Sequence, residues 1–164
     1  GRGGLGGGAR GGACDMLPAT VARLAELKNI VGVKEASGDM TRAVEIQKSC
    51  GPEFMVVSGE DGQAMESILA GGHGVISVTA NVAPRLMHEM CAAALAGDRE
   101  KAQSLNAQLE DLHRDLFIES NPIPTKWALH EMGLIPAGIR LPLTTLDEQF
   151  HVTLRAALSK AGSL

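Results

Sequence analysis

Three short apolar runs, Ile30–Lys34, Phe54–Ser58 and Gly74–Val78, limit what this chain can fold into more than any other feature. They are rich in Val and Ile and nearly continuous rather than alternating. Strands buried on both faces read this way, so the runs predict a parallel sheet. Helical stretches separate them. Pro18–Leu27 carries Val21, Leu24, Ala25 and Leu27 to one side, and the stretch at about 40–49 places Ala43, Val44 and Ile46 to face the sheet. The stretch at about 62–70 does the same with Met65, Ile68 and Leu69, and Gly71 stops it. Strand and helix alternating at this length mean βα units with right-handed crossovers.

Beyond Val78 the pattern is helical. Helices are predicted at about 83–96, 98–116 and 147–161. In the second, Leu105, Leu109, Leu112 and Leu116 form a stripe that reads as core. "SNPIPTKWALHEMG" predicts a further helix, with Asn121 as N-cap, prolines in the first turn and Gly133 as the stop. The first twelve residues differ in kind, since eight of them are Gly. Such a stretch loses much entropy on ordering and has little to bury. The organisation expected is therefore a Gly-rich disordered tail over 1–13, a partial (β/α) barrel over 14–97 and a C-terminal helical segment over 98–164. Three parallel strands do not close a barrel, and their open edges point to part of something larger.

Composition narrows the function. Net charge is −4, which offers no basic field to nucleic acid, and aromatic residues are only 2% with no Tyr, which removes stacking platforms. No apolar run reaches the roughly 20 residues of a membrane helix, and no apolar segment follows a basic start as in a secretory signal. Cys14, Cys50 and Cys91 lie far apart and read as reduced thiols of a cytoplasmic protein. There is no C-x-x-C pair, and the five histidines include no i, i+4 pair, so no metal site is expected. The chance G-x-G-x-x-A at Gly4–Ala9 lacks the strand–helix context that dinucleotide binding needs.

The chemistry gathers where the predicted strands end, because residues at the C-terminal ends of parallel strands line α/β active sites. Lys34 closes the first run, and the next two lead into "SGED" and "ISVTAN". An amine held among apolar groups loses hydration, which favours its neutral, nucleophilic form. A neutral amine attacks a ketone to give an imine, whose protonated form draws electrons from the adjacent carbon. Read from position alone, Lys34 is first of all a strand-end residue reaching for water, as most lysines are.

The flanking motifs bear on that choice. "VGVKEASGDMTR" resembles the Schiff-base lysine segment of the dihydrodipicolinate synthase (4-hydroxy-tetrahydrodipicolinate synthase) family, within the lysine-dependent class I aldolases. "VVSGEDGQAMESILAGGHGVISVTANVAPRLM" resembles the next two strands of that family, and "NPIPTKWALHEMG" and "RLPLTTLDEQ" its helical C-terminal segment. "GGHGVISVTANVAP" favours this family over N-acetylneuraminate lyase. The resemblance runs from about Cys14 to Leu164. It implies the last three βα units of a TIM (β/α)8 barrel followed by helices. It also implies an enzyme of lysine biosynthesis that condenses pyruvate with L-aspartate 4-semialdehyde, with no metal or organic cofactor and with a homotetrameric parent. It makes Lys34 the imine-forming residue, Ile76 a backbone contact of bound pyruvate, and Gly59 a rim residue facing the second substrate.

His73 reads as structural, Glu35 as pointing away from the mouth, and Asp39 and Arg42 as a cap and a surface pair. The family's tyrosine relay has no counterpart in a chain without Tyr, and Thr144-Thr145 does not match its threonine pair. Arg10 is out of register with the family's carboxylate-binding arginine. Another 2-oxo-acid aldolase or lyase of the superfamily, and a non-catalytic partial barrel, stand as alternative readings.

Overall fold

The computed structural model describes residues 3–7, as backbone, and residues 15–164. Four strands lie in one sheet in the order β1-β2-β3-β4: β1 Gly3–Gly7, β2 Ile30–Glu35, β3 Met55–Ser58 and β4 Gly74–Val75. All three pairings are parallel. Helices α1 (Pro18–Ala25), α2 (Met40–Cys50) and α3 (Ala64–Leu69) connect them, α3 being entered through a 3-10 turn at Asp61–Gln63. This is βα-unit architecture, part of a (β/α) barrel.

The described residues pack as two compact units. One runs to Ile76 and takes in Ala93–Arg99; the other comprises Ser77–Ala92 and Glu100–Leu164. In the first unit the core is Val21 of α1, Val33 of β2, Ala43 and Ile46 of α2, Phe54 and Val56, each 5% exposed or less. Strand alternation explains the choice. Val33 and Val56 are register partners and turn to the helices, while Lys34 and Val57, the next pair, turn away.

The second unit is helical. It holds α5 (Arg99–Asp115, from Glu100), α6 (Ile123–Glu131), α7 (His151–Lys160) and most of α4 (Pro84–Leu95). Most of the predicted leucine stripe is its centre: Leu109, Leu112 and Leu116 are fully buried, together with Leu154 and Leu158 of α7 and Met90 of α4, while Leu105 is only partly buried. Ion pairs at the rim tie the helices together, Lys160 to Asp111 at 2.7 Å and Arg155 to Glu131 at 2.6 Å. Trp127 stacks on His151 at 4.5 Å between centroids, with Arg155 over its ring.

Four expectations change. Gly3–Gly7, read as part of a flexible tail, runs extended along β2, with Gly6 opposite Lys34. A strand edge offers unpaired N–H and C=O groups, and a backbone pairs with them without needing a side chain to bury. The rest of the 1–13 stretch, Arg10 included, lies outside the described residues, as does Cys14. The third run stops pairing as a strand at Val75, not Val78. Ser77 Oγ accepts the Ala80 N–H at 2.8 Å and Val78 is already helical, so the chain turns into a 3-10 segment at Thr79–Asn81. Asn121 does not cap α6, because its Oδ1 accepts from the Thr125 hydroxyl at 3.3 Å and Pro122 occupies the N-cap position. Finally, the sheet is not buried on both faces: on the side away from the core, Met55 is 45% and Ile76 54% exposed. The helices follow crossovers of one hand and so collect on one side of the strip.

Candidate active site

Lys34 is the penultimate residue of β2 and points to the open face. Its level in the sheet continues through Val57 to Gly74, so the three residues stand side by side on that face. Gly59, one residue past β3, is held by a hydrogen bond from its N–H to Glu35 O at 2.7 Å. A Cβ placed on Gly59 would lie 2.7 Å from Lys34 Cε and 2.5 Å from Ala36 Cβ. Only glycine therefore leaves the lysine stem its path. The sequence offered Gly59 as a rim residue or as a turn glycine, and the geometry puts it in contact with Lys34.

Ile76 lies one residue beyond β4. Its N–H is committed to Ser58 O at 2.8 Å, so a ligand meets its carbonyl or its exposed side chain. It stands two strand spacings from β2, roughly 10 Å across the sheet. Lys34 and Gly59 are thus in contact, while Ile76 borders the same face from the far strand.

The loops over this face are tied together. Ser58 Oγ donates to Glu60 O at 3.0 Å and accepts from Glu60 N at 3.1 Å, shaping the "SGED" turn. Gln63 Nε2 donates to Gly38 O at 2.8 Å, joining the loop after β3 to the loop after β2. Asp39 caps α2, accepting from Thr41 N at 2.9 Å and from its hydroxyl at 2.6 Å; these bonds, the hydroxyl's first, hold its carboxyl below the usual carboxylate range. His73 pairs with β3 at both ends: its N–H donates to Val56 O at 2.8 Å and its Nδ1 accepts from Val56 N at 3.2 Å.

Arg42 departs from its expected surface pairing. Its Nη1 meets both oxygens of Asp15 at 2.9 Å and its Nη2 donates to Met16 O at 2.7 Å. The Arg42 hydrogen bond holds the Asp15 carboxyl below its ordinary value, and the same bond raises the guanidinium. The two residues are 27 apart in sequence, so no local spacing could have announced the pair.

A cavity of about 470 Å³ lies elsewhere, in the helical unit, lined by residues that include Arg85, Glu89, Met132 and Ser163. It holds none of the strand-end residues, so its size does not make it the site of the chemistry.

A model of the dihydrodipicolinate synthetase family matches residues 9–161. The chain belongs to that family. Among curated proteins it is 61% identical over 151 residues to the 4-hydroxy-tetrahydrodipicolinate synthase of Alcanivorax borkumensis, covering 92% of this chain and 51% of that protein. It is 62% identical over 151 residues to the enzyme of the same name from Methylococcus capsulatus, covering 92% of this chain and 52% of that one. Among solved structures it superposes on the chloride-inhibited dihydrodipicolinate synthase of Acinetobacter baumannii complexed with pyruvate. That match has a TM-score of 0.94 at 49% identity and covers 98% of this chain and 55% of the other. The dihydrodipicolinate synthase of Thermotoga maritima matches with a TM-score of 0.93 at 39% identity, covering 98% and 56%. The chain spans about half the length of the family members it matches. Among the described residues no helix is long and apolar enough to cross a membrane.

Proposed function

We propose that this chain supplies the lysine-bearing half of a 4-hydroxy-tetrahydrodipicolinate synthase, in which Lys34 forms an imine with pyruvate. The observation that carries the reading is the Lys34–Gly59 contact on the open face of a parallel sheet, at the strand ends. The Lys34 amine attacks the 2-oxo carbon of pyruvate, and loss of water leaves the imine. Its protonated form withdraws electrons from the methyl carbon. Loss of a methyl proton then gives an enamine, whose carbon attacks the aldehyde carbon of L-aspartate 4-semialdehyde. Ile76 contributes its carbonyl to the bound pyruvate, and Gly59 borders the approach of the second substrate. The setting is the cytoplasm, the pathway that of lysine and diaminopimelate, and the assembly of the full enzyme a homotetramer.

These 164 residues alone carry little or no synthase activity. They contain no Tyr to relay protons, and loss of proton-transfer groups costs roughly 10²–10⁴ in rate. Turnover by the purified chain would contradict this. The imine is tested in the full-length protein that carries this segment: pyruvate followed by borohydride converts the Lys34 imine to a stable carboxyethyl amine. Mass spectrometry of the Lys34 peptide should show it. An adduct on another lysine, or none, ends the proposal.

A further inference from the structure

Lys34 and Glu35 are neighbours that leave β2 on opposite faces. The Glu35 carboxylate turns to the helix side, where its side chain is 10% exposed. Its Oε1 accepts the Ser37 N–H at 2.6 Å, and its Oε2 lies 3.8 Å from Arg42 Nε, an ion pair too long for a hydrogen bond. A carboxylate so shielded is costly unless a cation faces it. Arg42 is that cation. Its side chain is 16% exposed, and its Nε is buried with no hydrogen-bond partner. Asp15 is half exposed, so the Arg42–Asp15 pair alone is a rim contact of small net value. The Met16 carbonyl takes Nη2, and Glu35 is the charge that faces the shielded Nε side of the guanidinium.

The backbone of Glu35 matters as well. Its carbonyl accepts the Gly59 N–H, and Gly59 is the wall along which Lys34 runs. One residue thus fixes the end of the lysine's strand, the first turn of the loop after it, and the glycine beside the amine. We propose that Arg42, acting through Glu35, is a positioning residue for Lys34: the Asp15–Arg42–Glu35 chain on the helix side holds the end of β2, and so aims the amine on the other side. For its catalytic consequence this rests on the imine reading of Lys34. Its structural part stands without it.

The test uses the full-length protein carrying this segment, with Arg42→Met, Glu35→Gln and the double variant. Two quantities are read: amide hydrogen exchange at Ser37 and Gly59, and the rate of borohydride trapping of pyruvate on Lys34. In Arg42→Met, exchange at both amides should quicken about tenfold or more, and trapping should slow by about tenfold to a hundredfold, the scale of a small misplacement at a reacting centre. The concentration of pyruvate that half-saturates trapping should change little. Adding Glu35→Gln removes the stranded charge while its amide oxygen still accepts the Ser37 N–H, so most of both losses should be recovered. If Arg42→Met does not fold, Arg42→Lys keeps the charge and should show only a small part of each effect. Unchanged exchange at Gly59, or losses that Glu35→Gln does not recover, would reduce Arg42 to a tether for the Asp15 segment and overturn the proposal. A wild-type protein that traps no pyruvate sinks the imine reading instead, and the exchange data still decide whether Arg42 holds the strand end.

Discussion

The two faces of the β2–β3 sheet are built from alternate residues of the same strands, and they are opposites. On the helix side, Val33 is 3%, Val56 0% and Ser58 5% exposed, under Val21, Ala43 and Ile46. On the other side stand Lys34, Met55, Val57 and Gly59, with Gly74 and Ile76 beyond them. One face is given over to packing, while the other keeps a lysine, three glycines (Gly32, Gly59 and Gly74) and half-exposed side chains. Because strand residues alternate strictly, stability and chemistry are separated by a single step along the chain, as between Lys34 and Glu35. The two faces should therefore respond differently to mutation.

The largest effect expected is on the open face. Lys34→Arg keeps the charge and much of the length, but a guanidinium does not form an imine, so trapping of pyruvate at this position should fall to background. In the 164-residue chain thermal unfolding should hardly move, because Lys34 is not among the packed residues of the helix-side core. A large drop in melting temperature would break the separation of the faces. Its mirror image is Ile46→Ala on the helix side, where the side chain is fully buried. Urea denaturation should show a loss of about 2–5 kcal/mol, the range for buried large-to-small changes. The folded fraction of the full-length protein should still trap pyruvate at close to the wild-type rate.

Gly59→Ala tests the boundary between the two behaviours. The new methyl would meet Lys34 Cε and Ala36 Cβ at the same time. The lysine stem is free to swing aside, while the 2.5 Å approach to Ala36 Cβ is relieved only by a shift of the backbone. Overpacking of this kind costs roughly 1–3 kcal/mol. The trapping rate should fall by about tenfold or more through the displaced amine. A stability loss with unchanged trapping would show that Gly59 matters to the turn and not to Lys34.

Much of this arrangement was legible in the sequence, and the failures have two causes. The strands at Ile30, Met55 and Gly74 and the helices between them follow from apolar runs and their period, which are local properties. The leucine stripe of α5 and the stops at Gly71 and Gly133, both with positive φ, were readable for the same reason. Some of what was missed depends on partners distant in sequence, and some on a local side-chain bond that competes with the expected one. Arg42 was given a neighbour at i−3, but its ligand is 27 residues away. Asn121 was given free helix N–H groups and spends its side chain on Thr125 instead. The extended run at Gly3–Gly7 has no side-chain signal at all, since what recruits it is the edge of β2. For the site, position marked Lys34, and the family motifs added Gly59 and Ile76. Nothing in the sequence marked the partly shielded pair behind the lysine, because Glu35 and Arg42 look like ordinary surface charges at a loop and a helix start.

The smallest effect is the sharpest test of how open the open face is. Met55 is a large apolar side chain at 45% exposure, opposite Gly32, on the same face as Lys34. In the 164-residue chain, Met55→Ala should change unfolding free energy by no more than about 0.5 kcal/mol, as surface changes do. In the full-length protein, where more of the barrel would cover that face, the same substitution should cost about 2–5 kcal/mol, as a buried methionine does. The difference between the two measurements is the burial that the rest of the barrel supplies. A cost of that larger size in the short chain would mean that the face is already covered in solution by a second copy. Sedimentation velocity would then show a dimer for the wild-type chain, shifted toward monomer in Met55→Ala.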